Sequence, residues 1–260
     1  MASAFPVATF RFYEELNDFL APSSRKRDIA IPIDRVRSVK DAIESAGVPH
    51  PEVDLILVDG NSVDFGHLLR GGERVAVYPM FERLDVGPLQ RLRPRPLRDP
   101  RFIVDANLGK LARHLRMAGF DVLFDMTADD ASIVRCATAT GRTILTRDKG
   151  LLRRRDVERG YFVRSDAADV QLAEVVAALQ LEHGMRPFTR CRECNTPLED
   201  IPREAVPEGL APPRVLALYD TFRRCPGCGR VYWPGSHYAR MQRLLERVRA
   251  LADPAQRQSR

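Results

Sequence analysis

Phe102-Ile103-Val104-Asp105, Val122-Leu123-Phe124-Asp125, Thr143-Ile144-Leu145-Thr146-Arg147-Asp148 and Tyr161-Phe162-Val163-Arg164-Ser165-Asp166 are short apolar runs that each lead into an aspartate. Helical patterns separate them. Leu108, Leu111, Ala112, Leu115 and Ala118 lie on one face of a helix that stops at Gly119. A second helix begins near Thr127 to Asp130 and runs through Ile133, Val134 and Ala137 to Gly141; a short third follows Asp148, and Asp169 to Leu181 forms a fourth. Strand and helix in alternation predict an α/β fold with a parallel sheet covered on both faces. The carboxyl ends of such strands share an edge, and ligands bind outside it. Asp105 and Asp148 are therefore expected to meet there, with Asp130 reaching in from the first turn of its helix.

Crowded carboxylates repel one another, and burying one without a partner costs several kcal/mol or raises its pKa until it is neutral. Magnesium or manganese relieves the repulsion, takes oxygen ligands and bridges to substrate phosphates. Two such ions about 4 Å apart activate a water and stabilise the leaving oxygen in phosphodiester hydrolysis. For any single aspartate the competing role is a helix cap or a turn, which suits Asp125 and Asp129 best; Asp105 and Asp148 together favour metal binding. No Walker motif or Gly-x-Gly-x-x-Gly accompanies these strands, which argues against nucleotide binding through a glycine-rich loop.

The cysteines carry the second signal. Cys191-x-x-Cys194 and Cys225-Pro226-Gly227-Cys228 can each turn two thiolates toward one tetrahedral ion. With all four ligands supplied by cysteine the site is closed, so its zinc is expected to be structural. The 30-residue spacer between the pairs is long, and Pro202 to Pro213 is expected to loop out of it. A disulfide framework is the weaker reading in a long intracellular chain. Cys136 stands alone in a helical pattern and reads as a buried core residue.

At 260 residues, 44% hydrophobic and 29% charged, the chain can bury one large core or two to three smaller ones. No apolar stretch approaches the roughly 18 residues of a membrane span and no signal peptide opens the sequence, so a cytoplasmic protein that does not engage membranes is expected. The net charge of +6 and pI near 9.3 suit a polyanionic partner and suit a plain solvated surface equally well.

Ahead of the aspartate-ended strands, Ala8 to Tyr13, Asp28 to Ile33, Leu55 to Val58 and Arg74 to Tyr78 read as strands, with a capped helix from Ser38 to Ala46. This order, with Leu68-Leu69-Arg70-Gly71-Gly72-Glu73-Arg74-Val75, resembles a ubiquitin-like β-grasp domain of the sulfur-carrier type. A carrier needs a free Gly-Gly tail; here Gly71 and Gly72 precede a strand, so a binding or packing role is expected instead. The Arg- and Pro-rich stretch Gln90 to Pro100 is expected to be extended, either a solvated linker or a contact for a phosphate backbone. The expected divisions are a β-grasp domain over 1–83, a linker over 84–100, the sheet domain over 101–186, a zinc ribbon with a C-terminal helix over 187–252, and a disordered tail over 253–260.

The run Phe102 to Arg116, then Asp129-Asp130, then Ile144-Leu145-Thr146-Arg147-Asp148-Lys149-Gly150-Leu151, resembles the PIN-like ribonuclease family named after the C-terminal region of the mutator-seven exonuclease. The resemblance extends through Cys225 to Tyr238 and covers the ubiquitin-like front domain. It implies a PIN-like three-layer α/β/α parallel sheet and a metal-dependent ribonuclease, with Mg2+ or Mn2+ at Asp105, Asp130 and Asp148. Asp130 is preferred to Asp129 because relatives place the acid three residues before the first apolar helix position, here Ile133. Asp166 takes the place of a looser fourth acid. Lys110, Arg113, Arg116, Arg147 and Lys149 would hold phosphates, since arginine forks match phosphate oxygens; surface ion pairing is the competing role for each arginine. The expected partner is RNA, with transfer RNA or ribosome-associated RNA as candidate forms, together with a protein docked on the β-grasp domain. A catalytically silent RNA- or ribosome-binding protein using the same basic surface is the alternative. In the ribbon, Tyr232, Trp233, His237 and Tyr238 with Arg240, Arg243, Arg247 and Arg249 can present single-stranded RNA. Core packing is the favoured role for Trp233, and an RNA role for Tyr238 stays open.

Overall fold

The computed structural model describes residues 5–79 and 100–252. The linker up to residue 99 and the tail over 253–260 lie outside the described residues. The chain divides into two compact units, Met1–Asp99 with Asp148–Phe162, and Pro100–Arg147 with Val163–Arg260.

The first unit contains β1 (Val7–Phe12), β2 (Asp28–Pro32), β3 (Arg37–Ser38), α1 (Val39–Ser45), β4 (Val53–Val58), β5 (Asn61–Ser62), β6 (Leu68–Leu69) and β7 (Arg74–Pro79). Its mixed sheet runs β2-β1-β7-β4-β5, with β1 parallel to β7 and the other pairs antiparallel. Alternation along β1 buries Ala8, Phe10 and Phe12 on one face. The Ser38 hydroxyl caps α1 by accepting from the Asp41 N–H at 3.1 Å, and the helix buries Val39, Ala42 and Ile43 in the same core. Burying Phe10, Phe12, Val39 and Ile43 contributes about 1.5–3 kcal/mol each relative to exposure, and each alanine about 0.8 kcal/mol. This is the ubiquitin-like arrangement expected of the sequence. Gly71 and Gly72 form the turn between β6 and β7: the Glu73 carboxylate accepts from the N–H groups of Arg70 (2.7 Å) and Gly71 (2.8 Å), and Gly72 N–H donates to Val7. Gly71 has φ 101°, and a Cβ there would sit 2.3 Å from Pro6, so packing requires glycine at this position; Gly72 shares the positive φ with open space around it.

In the second unit, β8 (Arg101–Val104), α2 (Gly109–Met117), β9 (Asp121–Phe124), α3 (Asp130–Thr140) and β10 (Thr143–Thr146) follow one another. The strands lie in the order β10-β8-β9 and are parallel, with Ile144 opposite Ile103 and Ile103 opposite Leu123. α2 buries Leu111, Ala112 and Leu115, the face read from the sequence. Asp129 caps α3 by accepting from Ser132 N–H at 2.8 Å, and Gly141 ends it in the left-handed region. Cys136 is half-buried on α3 rather than in the core, because it falls beside the Ile133, Val134 and Ala137 stripe.

α4 (Lys149–Leu152) and β11 (Gly160–Phe162) belong to the first unit. The second unit resumes with α5 (Ala168–Ala178), which packs on α2, then β12 (Glu199–Pro202), α6 (Pro213–Leu218), β13 (Thr221–Arg224), β14 (Val231–Tyr232) and the 17-residue α7 (Ser236–Ala252), which packs on α5. The order β12-β13-β14 is antiparallel. The spacer between the cysteine pairs does more than loop out. Ala211 and Val215 are buried with Phe222, and Ile201, Val206 and Trp233 pack against them, so it brings a small core of its own.

Candidate functional site

Parallel register places the residues that follow β8, β9 and β10 on one edge. Leu145 is opposite Val104 and Val104 opposite Phe124, so Asp105, Asp125 and Thr146 occupy equivalent positions. Asp105 is buried, at 8% exposure, and its N–H donates to the Leu145 carbonyl at 3.0 Å. The Thr146 hydroxyl donates to Asp105 Oδ2 at 2.8 Å and leaves Oδ1 without a partner among the described residues. Thr146 was not singled out in the sequence, although Leu-Thr-Arg-Asp contains it.

The other aspartates divide by what already holds them. Asp125 closes a turn, accepting from Thr127 N–H (2.8 Å) and hydroxyl (2.7 Å); these bonds hold its carboxyl below the usual range. Asp129 is spent on its cap, whereas Asp130 opens α3 with an exposed side chain. Asp148, in the first unit, caps α4 by accepting from Gly150 N–H at 2.6 Å. Asp166 is exposed and pairs with Arg147 Nη1 at 2.6 Å.

The expected phosphate-binding residues separate in the same way. Lys110 and Arg113 are exposed on α2, with Arg113 3.3 Å from Glu193. Arg147 is shared between Asp166 and the Ser165 carbonyl. Lys149, in the first unit, lies 5.3 Å from the centroids of both Phe19 and Phe162. Arg116 departs from the expectation. It is 4% exposed, and its guanidinium donates to the carbonyls of Val122 (3.0 Å), Arg192 (3.1 Å) and Glu193 (2.7 Å). It fastens the first cysteine loop to β9 and has no surface to offer RNA. Asn195 helps: its Oδ1 accepts from Val122 N–H and its Nδ2 donates to Asp121. Burial raises the Asp121 pKa, but hydrogen bonds from Arg142, at 2.8 and 3.1 Å, and from Asn195 outweigh it and hold the carboxyl below its usual range.

Cys191, Cys194, Cys225 and Cys228 place their sulfurs within 4.8 Å of one another, and among the described residues the aspartates form no such group. Cys191 and Cys228 Sγ are 3.6 Å apart, Cys194 and Cys225 Sγ 3.2 Å. Four thiolates about 2.3 Å from one ion stand roughly 3.8 Å apart in a regular tetrahedron, so the cluster fits a structural zinc. Burial and hydrogen bonding to Cys194 push the Cys225 thiol up to about 12, whereas hydrogen bonds outweigh burial at Cys194 and bring it down to about 6. Crowded sulfurs share protons unequally in this way, and a divalent ion replaces those protons.

A parallel sheet with helices, a ubiquitin-like front domain and a four-cysteine ribbon define a PIN-like protein of composite architecture. Residues 100–245, more than half of the chain, match the Mut7-C RNAse domain, and residues 5–85 match the Mut7-C ubiquitin domain. The chain therefore belongs to the Mut7-C RNAse domain family. Neither the curated proteins nor the solved structures compared with it give a match. Among the described residues no helix is long and apolar enough to cross a membrane.

Proposed function

We propose that this protein is a metal-dependent endoribonuclease that hydrolyses RNA phosphodiester bonds at the carboxyl edge of the parallel sheet. The observation that carries the reading is Asp105: a buried carboxylate held at one oxygen by Thr146, at the strand end where α/β sheets bind ligands, in a chain of an RNAse-domain family. Asp130 and Asp148 are the further acids: Asp130 opens α3 free of the cap that occupies Asp129, and Asp148 follows the end of β10, one of its oxygens capping α4; Asp166, paired with Arg147, is a fourth. These carboxylates would hold Mg2+ or Mn2+, which supplies an activated water and stabilises the leaving oxygen. Asp105 contributes a donor oxygen on a rigid strand end, and Lys110 and Arg113 contribute positive charge toward the phosphates on either side. RNA is the substrate, transfer RNA or ribosome-associated RNA being the forms to try first. The β-grasp domain is available to a protein partner, and the expected location is cytoplasmic.

Substituting Asp105→Asn or Asp148→Asn is expected to abolish Mn2+- or Mg2+-stimulated cleavage while zinc content and melting temperature stay at wild-type values. Cleavage persisting in both variants would sink the reading. The second reading, a catalytically silent RNA-binding protein, draws on the ion pair that occupies Asp166 and on the absence of a converged acidic group among the described residues. It is distinguished by RNA binding that survives every aspartate substitution with no cleavage under either ion.

A further inference from the structure

A cavity of about 240 Å3 lies beside the cysteine cluster, walled by the end of α2, the first cysteine loop, β13, β14 and the start of α7. It falls short of the roughly 300–1,000 Å3 that holds a drug-sized ligand and admits a smaller, flat one. Four half-buried aromatic rings line it, those of Phe188, Tyr232, Trp233 and Tyr238. Phe188 adopts φ 61°, a conformation that costs an aromatic residue about 1–2 kcal/mol. It is held there at both ends: its N–H donates to Met117 at 2.8 Å, and its carbonyl accepts from Arg223 at 2.7 Å. The outcome is a ring in the cavity wall, its centroid 4.2 Å from that of Tyr238. Backbone strain retained to present a side chain is characteristic of ligand sites.

The charge on the wall is as specific as the rings. Arg223 is neutralised by Asp200 at 2.8 Å. Arg192 has no carboxylate partner among the described residues: its Nη1 meets His237 Nε2 at 3.4 Å and the Met241 sulfur at 3.2 Å, and its buried Nε has no hydrogen-bond partner. Arg190 donates to the Asn195 carbonyl and shares the charge of the Asp121 carboxylate with Arg142. Soft or neutral partners leave the Arg192 guanidinium able to bind an anion. A ligand that is flat, aromatic and anionic meets both requirements, and a nucleotide within a single strand is such a ligand.

We propose that the cavity receives one unpaired base of a single-stranded RNA, stacked against the Phe188 and Tyr238 pair and Trp233, with the adjoining phosphate on Arg192. The choice of RNA rests on the ribonuclease reading; the site itself involves none of the aspartates. Trp233 is the single tryptophan of the chain and reports occupancy directly. The zinc-loaded, full-length protein is titrated with a short single-stranded oligoribonucleotide, and with a duplex of the same length, without added Mg2+ or Mn2+. Saturable quenching of Trp233 by the single strand alone is expected, with affinity about tenfold lower in Tyr238→Ala. Arg192→Gln is expected to weaken binding and reduce its salt slope by about one. Equal quenching by the duplex, no saturable change, or wild-type affinity in both variants with zinc content intact overturns the proposal. Equal quenching by a polyglutamate peptide also overturns it and assigns the cavity to an acidic protein segment. Cleavage without quenching removes the pocket and leaves the ribonuclease reading, whereas quenching without cleavage leaves the pocket and removes that reading.

Discussion

Arg113 and Arg116 sit three positions apart on α2, and sequence alone treated them alike. Their surroundings separate them: Arg113 is half exposed beside Glu193, whereas Arg116 fills three backbone carbonyls in the interior. An exposed ion pair contributes about 0–1 kcal/mol. A buried acceptor left unsatisfied costs about 1–3 kcal/mol. Arg116→Ala is therefore expected to lower the unfolding free energy by about 3 kcal/mol, seen as a lower urea midpoint at unchanged slope, with the salt slope of RNA binding preserved. Arg113→Ala is expected to do the reverse, reducing that slope by about one while the midpoint stays within error. Equal urea midpoints in the two variants would contradict this division. The carboxylates show the same limit. Asp125 closes a turn with Thr127 two positions on, the local role its sequence favours, whereas the bond that holds Asp105 comes from Thr146, 41 positions away, and has no local signal.

Among the elements, those built on local signals were legible. Ser38 before α1, Asp129 before α3 and Gly141 after it are cap residues whose chemistry acts within a few positions, and the two Cys-x-x-Cys knuckles are equally local. The contacts that join elements were not legible, because they depend on residues tens of positions apart. His114, on α2, faces the Ala168 carbonyl at 3.3 Å and Asp169 at 3.6 Å on α5, with Arg192 also near. Burial holds its pKa below 6.5, and the helping interactions with Ala168 and Asp169 do not make up the difference. The folded state thus favours the neutral ring. This contribution to stability is complete above pH 6.5 and is lost as pH falls from there through the depressed folded value. The effect is expected to vanish in His114→Gln, read as a flatter dependence of the urea midpoint on pH below 6.5. The ribbon is expected to depend on a zinc ion at its four cysteines more steeply. Stripping zinc, or Cys225→Ser, is expected to unfold β12 to β14 with loss of near-ultraviolet signal from Trp233. The signal staying unchanged after metal loss would show that the small core around Phe222 holds the ribbon alone.

At the scale of the whole chain, family boundaries and compact units disagree in an informative place. Residues 148–162 fall inside the RNAse-domain match over 100–245, yet they pack in one unit with the ubiquitin-like domain. The attachments are of several kinds. His50 Nε2 meets the Val157 carbonyl at 2.9 Å, Arg153 donates to the Gly47 carbonyl at 3.3 Å, the Glu52 carboxylate accepts from Phe162 N–H, and Phe19 lies edge-on to Phe162 at 5.7 Å under the Lys149 ammonium. None of these between the front domain and the segment was visible in sequence, since each joins residues more than a hundred positions apart. They give the front domain a physical task that needs no carrier chemistry: it supplies the packing surface for the segment that begins with Asp148. Phe19→Ala removes an aromatic contact worth about 0.5–1.5 kcal/mol beyond its area, together with one face of the cation–π pair. In that variant, amide hydrogens of α4 and β11 are expected to exchange about tenfold faster, while those of β8 and β9 keep wild-type protection. Any cleavage activity should fall through this loosening when Asp148 is a metal ligand, and should be restored by Phe19→Tyr, which keeps the ring. Unchanged exchange across residues 149–162 would mean that the segment is held by its own unit's other contacts and that Phe19 contributes nothing to its order.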